Sequence, residues 1–486
     1  MLASNGLLAA GRLLAAGRLR ATGWMLAACW LLAAAWPLAI PLEAHAGSEA
    51  PAPSCARPGV GWCVARRFPG TIEKGELGFR FGEPLDVDGD GHADVAAGAR
   101  FKLQKGTQFN GEASIWSGAD GSLIRTWDGE WDDALFGNSV LLVPDLSGDG
   151  LSDVVISAPH ARFAETMRGI VVARSPKTGT ELWRREEATT ENLGWDMALA
   201  GDRNGDGLVD IFVGAPSDET GRVYLLSGKD GSVLRTYAPP EDGGSFGWYV
   251  AELDDLDGDG ERDLAVGGPS AVTVPQGRVG CAWVFSAKTG KELYHWKDTD
   301  RRGGFGAIVA SVGDLDGDHK GDIVVAAPGT EDQTRTVPGD VHVYSGATGK
   351  EIRRWSGTQP GELYGRMVVD VGDLDHDGVD DLAIGAPWHR RGTDDRVGRL
   401  ELRSGRSGKV LTVLFGDEAD AWFGWHVRRA PDPDGHGRPA LLVGSLRHAV
   451  DGKIRVGVLD LYVLRPKVGA TGHGTKTRDG RRSAIK

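Results

Sequence analysis

Six short segments of this sequence carry oxygen-bearing side chains at the first, third, fifth and ninth positions of a nine-residue unit. The first runs from Asp86 to Asp94 and has Gly91 at the sixth position. In such a turn alternate side chains converge on one point, the carbonyl of the seventh residue turns inward, and glycine permits the sharp bend. Ligation by oxygen alone favours calcium over zinc or copper, and magnesium would retain more water. The pattern therefore predicts a calcium loop.

The expected ligands include the seventh residue of each loop, which would contribute its main-chain carbonyl. In chain order the six sets are Asp86, Asp88, Asp90, His92 and Asp94; Asp145, Ser147, Asp149, Leu151 and Asp153; Asp202, Asn204, Asp206, Leu208 and Asp210; Asp255, Asp257, Asp259, Glu261 and Asp263; Asp314, Asp316, Asp318, Lys320 and Asp322; and Asp373, Asp375, Asp377, Val379 and Asp381. In the fifth loop His319 replaces the glycine, which is tolerable because His enters left-handed conformations more readily than most residues. A seventh copy begins at Asp432 but has Ala440 at the ninth position, so we predict that this loop is empty or weak.

The elements that position these loops are strands. An apolar run of small and β-branched residues, such as Val154 to Ile156, follows each loop where an EF-hand would have a helix. The loops recur at intervals of 53 to 59 residues. A nearly fixed period of this length is typical of repeat architectures, in which each unit buries its apolar face against its neighbours. Seven copies predict seven packed units.

Two further features recur in phase with the loops. An aromatic or leucine residue and a glycine precede each loop, and a small-residue turn ending in proline follows most of them. The pairs are Phe81-Gly82, Phe136-Gly137, Leu193-Gly194, Phe246-Gly247, Phe305-Gly306, Tyr364-Gly365 and Phe423-Gly424, and the turns include Gly214-Ala-Pro216, Gly267-Gly-Pro269 and Gly385-Ala-Pro387. This combination resembles the FG-GAP repeat of the integrin α-chain head and its bacterial relatives. The resemblance implies an all-β, seven-bladed propeller of four-stranded blades, with calcium loops between the first and second strands of six blades.

The sequence also predicts how the ring closes. The last repeat ends near Leu464 after its third strand. Its missing outer strand is most simply supplied by residues 62–68, which precede the first aromatic-glycine pair as Thr126-Trp127 precede the second. Radial repetition of this kind leaves few exposed sheet edges.

The chain divides into four parts. Residues 1–46 combine early arginines, an apolar run over 24–42 and a small-x-small site before Gly47, which is typical of a signal peptide, with an uncleaved membrane anchor as the alternative. We expect a linker at 47–60, the propeller at 61–465 and a disordered basic tail at 466–486. Export would place the protein outside the cell, at its surface or in a periplasm, where Cys55 and Cys63 can form a disulfide; two free thiols are the alternative. We expect Cys281 to be a buried thiol.

A ligand would lie on the face opposite the calcium loops. If strands alternate in direction, that face carries the loops after the proline turns, whose lengths and chemistry vary as binding loops on a rigid scaffold do. The candidate residues are Phe101, Trp131, Phe163, Trp388, His389 and Arg390. Exposed aromatic residues beside Arg and Asp suit sugar rings or a protein hot spot. The alternative is that Trp131 and Trp388 pack against neighbouring blades.

Binding without chemical transformation is the expected function. The sequence has no nucleophile elbow, zinc-protease motif, Walker loop or dinucleotide fingerprint, so we expect no enzyme activity. The formal charge of −13 argues against nucleic acid as a partner. We predict a monomeric propeller that binds an extracellular protein or polysaccharide, and contacts a membrane only if the N-terminal segment is retained. The alternatives are a structural envelope or matrix module and a calcium-dependent polysaccharide lyase.

Overall fold

The structure is a computed structural model that describes residues 61–465, apart from residues 103–109, 132, 164–165, 168, 188–191, 218–219, 240–242, 244, 275–276, 299–302, 330–336 and 393–395. Every regular element in the described part of the chain is a β-strand. No helix there is long and apolar enough to cross a membrane. The apolar run at 24–42 lies outside the described residues.

The strands form seven antiparallel sheets, which are the blades of a propeller, so the predicted all-β, seven-bladed fold is confirmed. Strand β1 is Trp62–Pro69, and blade 1 contains β2 (Val95–Gly98), β3 (Glu112–Trp116) and β4 (Leu123–Asp128). Blade 2 contains β5 (Val140–Val143) and β6 (Asp153–Ala158), then a small hairpin of β7 (Arg162–Phe163) and β8 (Thr166–Met167), then β9 (Gly169–Arg174) and β10 (Glu181–Glu187). Blade 3 contains β11 (Asp196–Gly201), β12 (Asp210–Ala215), β13 (Arg222–Leu226) and β14 (Val233–Tyr237).

The remaining four blades follow in the same order. Blade 4 contains β15 (Tyr249–Glu252), β16 (Leu264–Val274), β17 (Gly277–Phe285) and β18 (Glu292–Lys297). Blade 5 contains β19 (Ile308–Val312), β20 (Asp322–Ala327), β21 (Asp340–Tyr344) and β22 (Glu351–Ser356). Blade 6 contains β23 (Met367–Gly372), β24 (Asp381–Ala386), β25 (Arg399–Arg403) and β26 (Val410–Phe415). Blade 7 contains β27 (Phe423–Ala430), β28 (Ala440–Ser445) and β29 (Val458–Leu464), with β1 as its fourth strand.

The core lies between the blades. Strand β12 is buried along its whole length, whereas β14, the last strand of the same blade, is mostly exposed. In blade 6, β24 is likewise buried throughout, whereas β26 is exposed at its first two residues and half-buried along the rest. A strand covered by neighbouring blades on both faces takes a continuous run of small and β-branched residues, while a strand at the rim can keep polar ones.

The proline turn of one blade contacts the aromatic-glycine pair of the next blade. A Cβ atom added to Gly214, in the turn of blade 3, would lie 2.1 Å from the carbonyl oxygen of Gly247, in the pair of blade 4. A Cβ atom added to Gly267 would likewise lie 2.0 Å from the carbonyl oxygen of Gly306. Only glycine permits this approach of two backbones. The aromatic partner Phe246 is fully buried, so each pair packs one blade onto the next.

The N-terminal strand closes the ring, as predicted. Strand β1 pairs antiparallel with β29, for example Phe68 with Leu459. A charged contact reinforces the closure, because Arg67 Nε lies 2.7 Å from Asp460 Oδ1. The first and last segments of the propeller therefore share blade 7.

Blade 1 departs from the predicted four strands, because it has three in the described part of the chain. An isolated bridge between Leu85 and Asp94 stands where an inner strand would be. The reason is visible in the sequence: Phe81 precedes Asp86 by five residues, whereas Phe136 precedes Asp145 by nine. Pro84 falls within the shortened segment and has no N–H to donate to a sheet.

Candidate metal centres

The six aspartate-rich loops share one face of the propeller, here called the loop face. In blades 2 to 6 the loop joins the first strand to the second; residues 145–153, for example, join β5 to β6. The hairpin between the third and fourth strands lies at the same end of the blade. In blade 5 the main-chain N–H of Gly346, in that hairpin, donates to Asp322 Oδ1 at 3.0 Å.

Each loop is shaped by its own carboxylates. In the fourth loop the N–H groups of Gly258 and Gly260 donate to the two oxygens of Asp255 at 2.6 and 2.9 Å. The N–H of Glu261 donates to Asp259 Oδ1 at 3.0 Å. Equivalent bonds recur in the other loops, such as Gly148 and Gly150 to Asp145. Side chain to backbone bonds of this type hold a tight turn without a regular element.

Two positions in each loop require a left-handed backbone. The sixth residue has positive φ throughout, and His319 has φ of 70°, in line with the expectation that a histidine is tolerated there. The fourth residue has positive φ as well, which was not predicted; Gly258 has φ of 79° and His376 has 62°. A glycine at the fourth position in five of the six loops was the available signal.

Carboxylate oxygens converge in four of the loops among the described residues. Three carboxylates, one oxygen from each, lie within 4.8 Å of one another in each set: Asp86, Asp88 and Asp90; Asp255, Asp257 and Asp259; Asp314, Asp316 and Asp322; Asp373, Asp375 and Asp381. The second and third loops have Ser147 and Asn204 at the third position, so they offer fewer carboxylates. Clusters made only of oxygen suit a hard divalent cation such as Ca²⁺.

The ninth aspartate of each loop is the most buried. Asp322 is fully buried, and it accepts the N–H groups of Leu315 and Gly346 at 2.8 and 3.0 Å. Burial raises the pKa of Asp322 to about 6, and the neighbouring charges of Asp316 and Asp318 act in the same direction. Burial likewise raises the pKa of Asp94 and of Asp263 to about 6. Removing several negative charges from water is unfavourable unless a cation balances them. The loops therefore have the donors and the charge to hold a divalent cation.

In the seventh loop, which lacks the ninth carboxylate, an arginine side chain contacts the remaining carboxylates. Arg438 Nε lies 2.8 Å from Asp432 Oδ2, and Arg438 Nη2 lies 2.8 Å from Asp432 Oδ1. The same guanidinium group donates to Asp434. This paired geometry is the strong form of an arginine–carboxylate contact. The missing ninth carboxylate was evident from the sequence, but the contact of Arg438 was not predicted, although an arginine stands at the seventh position.

The opposite face holds the candidate ligand residues, which come from different blades. Trp388, His389 and Arg390 follow β24 in blade 6, and Phe163 belongs to the hairpin inserted in blade 2, with a side chain outside the described residues. Trp388 is only 6% exposed and packs with Phe79 and Trp422. Of the two alternatives left by the sequence, packing between blades is correct for Trp388, because its indole lies in an apolar cluster. It does not offer a free ring for stacking.

The other candidates are also partly engaged. His389 is buried and its Nδ1 pairs with a carboxylate oxygen of Glu362. Burial opposes ionisation of Glu362, but His389 and Arg399 together lower its pKa. Arg390 is exposed.

Trp131 is half-buried against the apolar cluster formed between blades 1 and 2, and the guanidinium of Arg184 lies 4.8 Å from its ring centroid. Phe101 is half-buried beneath Arg100, at 4.5 Å. Both rings are therefore covered in part by an arginine.

The cysteines follow the predicted pattern in part. Cys63 is disulfide-bonded. Its predicted partner Cys55 lies outside the described residues, so that pairing stays a prediction. Cys281 is a fully buried thiol, as expected.

Comparisons with known proteins agree with the repeat pattern. A family profile described as an FG-GAP-like repeat matches residues 202–266 and 314–384, and one described as an FG-GAP repeat matches residues 136–172. Integrin alpha-V of Gallus gallus is 27% identical over 262 residues, which are 51% of this chain and 24% of that protein. Integrin alpha-4 of Xenopus laevis is 32% identical over 214 residues, which are 40% and 20%. The chain thus spans about a quarter or less of the length of these relatives.

A solved structure shares the fold. One chain of the structure described as BBS1N in complex with ARL6DN, soaked with lead, matches with a TM-score of 0.50 at 10% identity, covering 83% of this chain and 97% of that chain. The blades and their loops define a seven-bladed β-propeller built from FG-GAP repeats. The chain is, more particularly, an integrin α-like FG-GAP propeller.

Proposed function

We propose that this protein is an extracellular binding module whose propeller is stabilised by calcium in its loops and whose ligand occupies the opposite face. The observation that carries the proposal is the carboxylate cluster placed at the same point of successive blades in an integrin α-like propeller. Relatives named as integrins are the reason to favour adhesion or binding over catalysis. A rigid scaffold that presents variable loops fits that role.

The ions would be held by the first, third, fifth and ninth residues of each loop and by the carbonyl of the seventh. In the fifth loop these are Asp314, Asp316, Asp318, Lys320 and Asp322. Bound calcium supplies the positive charge that the buried carboxylates need. Since Asp322 also accepts the N–H of Gly346, holding it ionised in place would tie the loop to the neighbouring hairpin. Each ion would thereby link the loop between the first and second strands of a blade to the hairpin between its third and fourth strands.

The proposal extends to the ends of the chain. Residues 1–46 would direct export as a signal peptide or remain as an anchor, 47–60 would be a linker, and 466–486 a basic tail. Extracellular calcium is around millimolar, which suits loops with dissociation constants of about 10⁻⁴ to 10⁻³ M. A propeller stabilised in this way would be fully folded outside the cell.

The test is retention of the full chain on immobilised polysaccharides and extracellular proteins, with calcium and with a chelator. We expect retention on one ligand class in calcium and loss in chelator. Circular dichroism in both buffers shows whether the protein that no longer binds in chelator is still folded. A folded protein that binds nothing on the panel contradicts the binding function and favours a structural module of the envelope or matrix. An unsaturated product absorbing in the ultraviolet would instead indicate a polysaccharide lyase.

A further inference from the structure

We propose that Arg390, Arg391 and Arg396, in the connection between β24 and β25, form a binding site for an anionic polysaccharide. This inference rests on the proposed binding function and names the chemistry of its ligand. The three arginines are here called the arginine cluster. They follow β24, whose other end begins at Asp381 of the sixth loop. A six-residue strand spans about 20 Å, so the cluster lies on the face opposite the loops.

Both arms of the connection are fixed by hydrogen bonds. The N–H of Arg390 donates to Gln359 Oε1 at 3.0 Å, and Gln359 Nε2 donates to the carbonyl of Arg390 at 2.9 Å. Arg390 and Arg396 form an antiparallel bridge. The tip between the arms, residues 393–395, lies outside the described residues and includes Asp394 and Asp395. Because the two arms are held together, little backbone freedom would be lost when a ligand binds.

Two of the guanidinium groups rest on aromatic rings. The guanidinium carbon of Arg391 lies 5.1 Å from the ring centroid of Phe415. That of Arg396 lies 4.9 Å from the centroid of Trp388. Cation–π contacts of this kind restrict an arginine side chain without neutralising its charge. The two aromatic rings thus hold the guanidinium groups of Arg391 and Arg396 in place.

The cluster is not neutralised by carboxylates in the described part of the chain. None of its three guanidinium groups makes an ion pair there, whereas Arg399 lies 3.4 Å from Glu401 and Arg447 lies 3.0 Å from Glu76. Burial and the charge of Arg390 both lower the pKa of Arg396, against an opposing effect of Asp420. Among the described residues, the acid that acts on Arg396 is Asp420.

The chemistry of the cluster favours a polysaccharide over a folded protein. Guanidinium groups pair with planar carboxylates and with sulfates through two parallel hydrogen bonds. Hot spots of protein interfaces also use arginine, but they combine it with aromatic residues in a well-packed, desolvated pocket. Trp388 is buried and covered by Arg396, so the cluster offers charge and hydrogen-bond donors with little open apolar surface. A chain of uronate or sulfated sugars meets those requirements.

The experiment measures binding of the full chain to heparin and to polygalacturonate in calcium, at about 0.15 M salt. Neutral dextran and poly-glutamate serve as the uncharged and the acidic-polypeptide probes. The test variant combines Arg390→Gln, Arg391→Gln and Arg396→Gln. The matched control combines Lys229→Gln, Lys350→Gln and Lys409→Gln, which removes the same charge from exposed hairpin lysines on the loop face. Melting curves verify that both variants are folded.

We expect wild type and the lysine control to bind at least one anionic polysaccharide, and the arginine variant to bind it at least about tenfold more weakly. Equal loss in both variants would mean general electrostatic attraction and would overturn the proposal. So would tighter binding to poly-glutamate than to either polysaccharide, or no binding of wild type to either. If wild type binds another extracellular ligand but neither anionic polysaccharide, the inference fails and the proposed function stands.

Discussion

Arg80 Nη1 lies 2.6 Å from Asp196 Oδ1, and this ion pair joins blade 1 to blade 3. Both side chains are nearly inaccessible, at 3% and 6% exposed. The same nitrogen donates to the carbonyl of Trp248, next to blade 4, at 3.2 Å. Arg80 thus contacts residues of blades 3 and 4, which lie across the seven-bladed ring from blade 1.

This pair predicts a large loss of stability when one partner is neutralised. Asp196→Asn would leave the Arg80 charge buried without its counterion, and breaking a buried pair in this way costs about 3 kcal/mol or more. Asn retains an oxygen for the N–H of Val250, which Asp196 Oδ2 accepts at 2.9 Å. Denaturant unfolding in calcium measures the change. The matched double variant Arg80→Leu with Asp196→Asn should recover part of the loss; an additive double variant would contradict a direct coupling between the two residues.

Removing one loop ligand should lower the part of the unfolding free energy that depends on calcium. Asp257→Ala deletes an exposed third-position carboxylate of the fourth loop. A site at tenfold excess over its dissociation constant contributes about 1.4 kcal/mol, so the calcium-dependent part of the unfolding free energy should fall by about that amount. The matched control is Asp434→Ala at the third position of the seventh loop, whose calcium-dependent part should not change. Equal effects of the two variants would mean that the seventh loop binds calcium too.

Arg438 should stabilise the seventh loop in the absence of metal. Its guanidinium holds Asp432, whose pKa is lowered chiefly by that hydrogen bond. Arg438→Gln should reduce the unfolding free energy by about 1 to 2 kcal/mol, equally in calcium and in chelator. Arg406→Gln is the comparison, since Arg406 contacts Asp377 of the sixth loop at 3.4 Å from an exposed position and should matter less. Rescue of the Arg438 variant by calcium would indicate a latent metal site.

The closure of the ring should depend on pH through His448. Burial opposes protonation of His448, but its contacts with Asp417 and Glu418, at 3.3 and 3.2 Å, raise its pKa above the usual value. A raised histidine pKa contributes stability that is present below about pH 6.5 and is lost as pH rises through the folded value. The same contact with His448 lowers the pKa of Asp417 to about 2, so its contribution is present above about pH 4 and is lost as the pH falls toward 2.

His448→Gln should therefore lower the melting temperature at pH 5 more than at pH 9. Thermal unfolding in calcium at the two pH values is the measurement. His295→Gln is the control, because His295 lies in β18 of blade 4, away from the closure. A deficit for His448→Gln that is the same at both pH values would mean that packing, and not charge, is what the imidazole contributes.

Much of the architecture could be predicted because its determinants are local in sequence. The ligand pattern of a loop spans nine residues, the strands of a blade are consecutive, and the aromatic-glycine pair and the proline turn recur once per repeat. The closure of blade 7 by residues 62–68 followed from counting strands. Even the exception in blade 1 was present as a five-residue spacing from Phe81 to Asp86, although its consequence was not foreseen.

The sequence by itself determined the repeat, the number of blades, the strand that closes the ring and the oxygen donors of the loops, because each depends on residues within one repeat or on counting repeats. The tertiary structure alone decided the burial of Trp388, the Arg80–Asp196 pair and the contacts of Arg391 and Arg396 with aromatic rings. The physical reason is distance along the chain: Arg80 meets Trp248 across 168 residues, and the environment of Trp388 is set by Phe79 and Trp422 from other repeats. Periodicity gives no information about contacts across the ring.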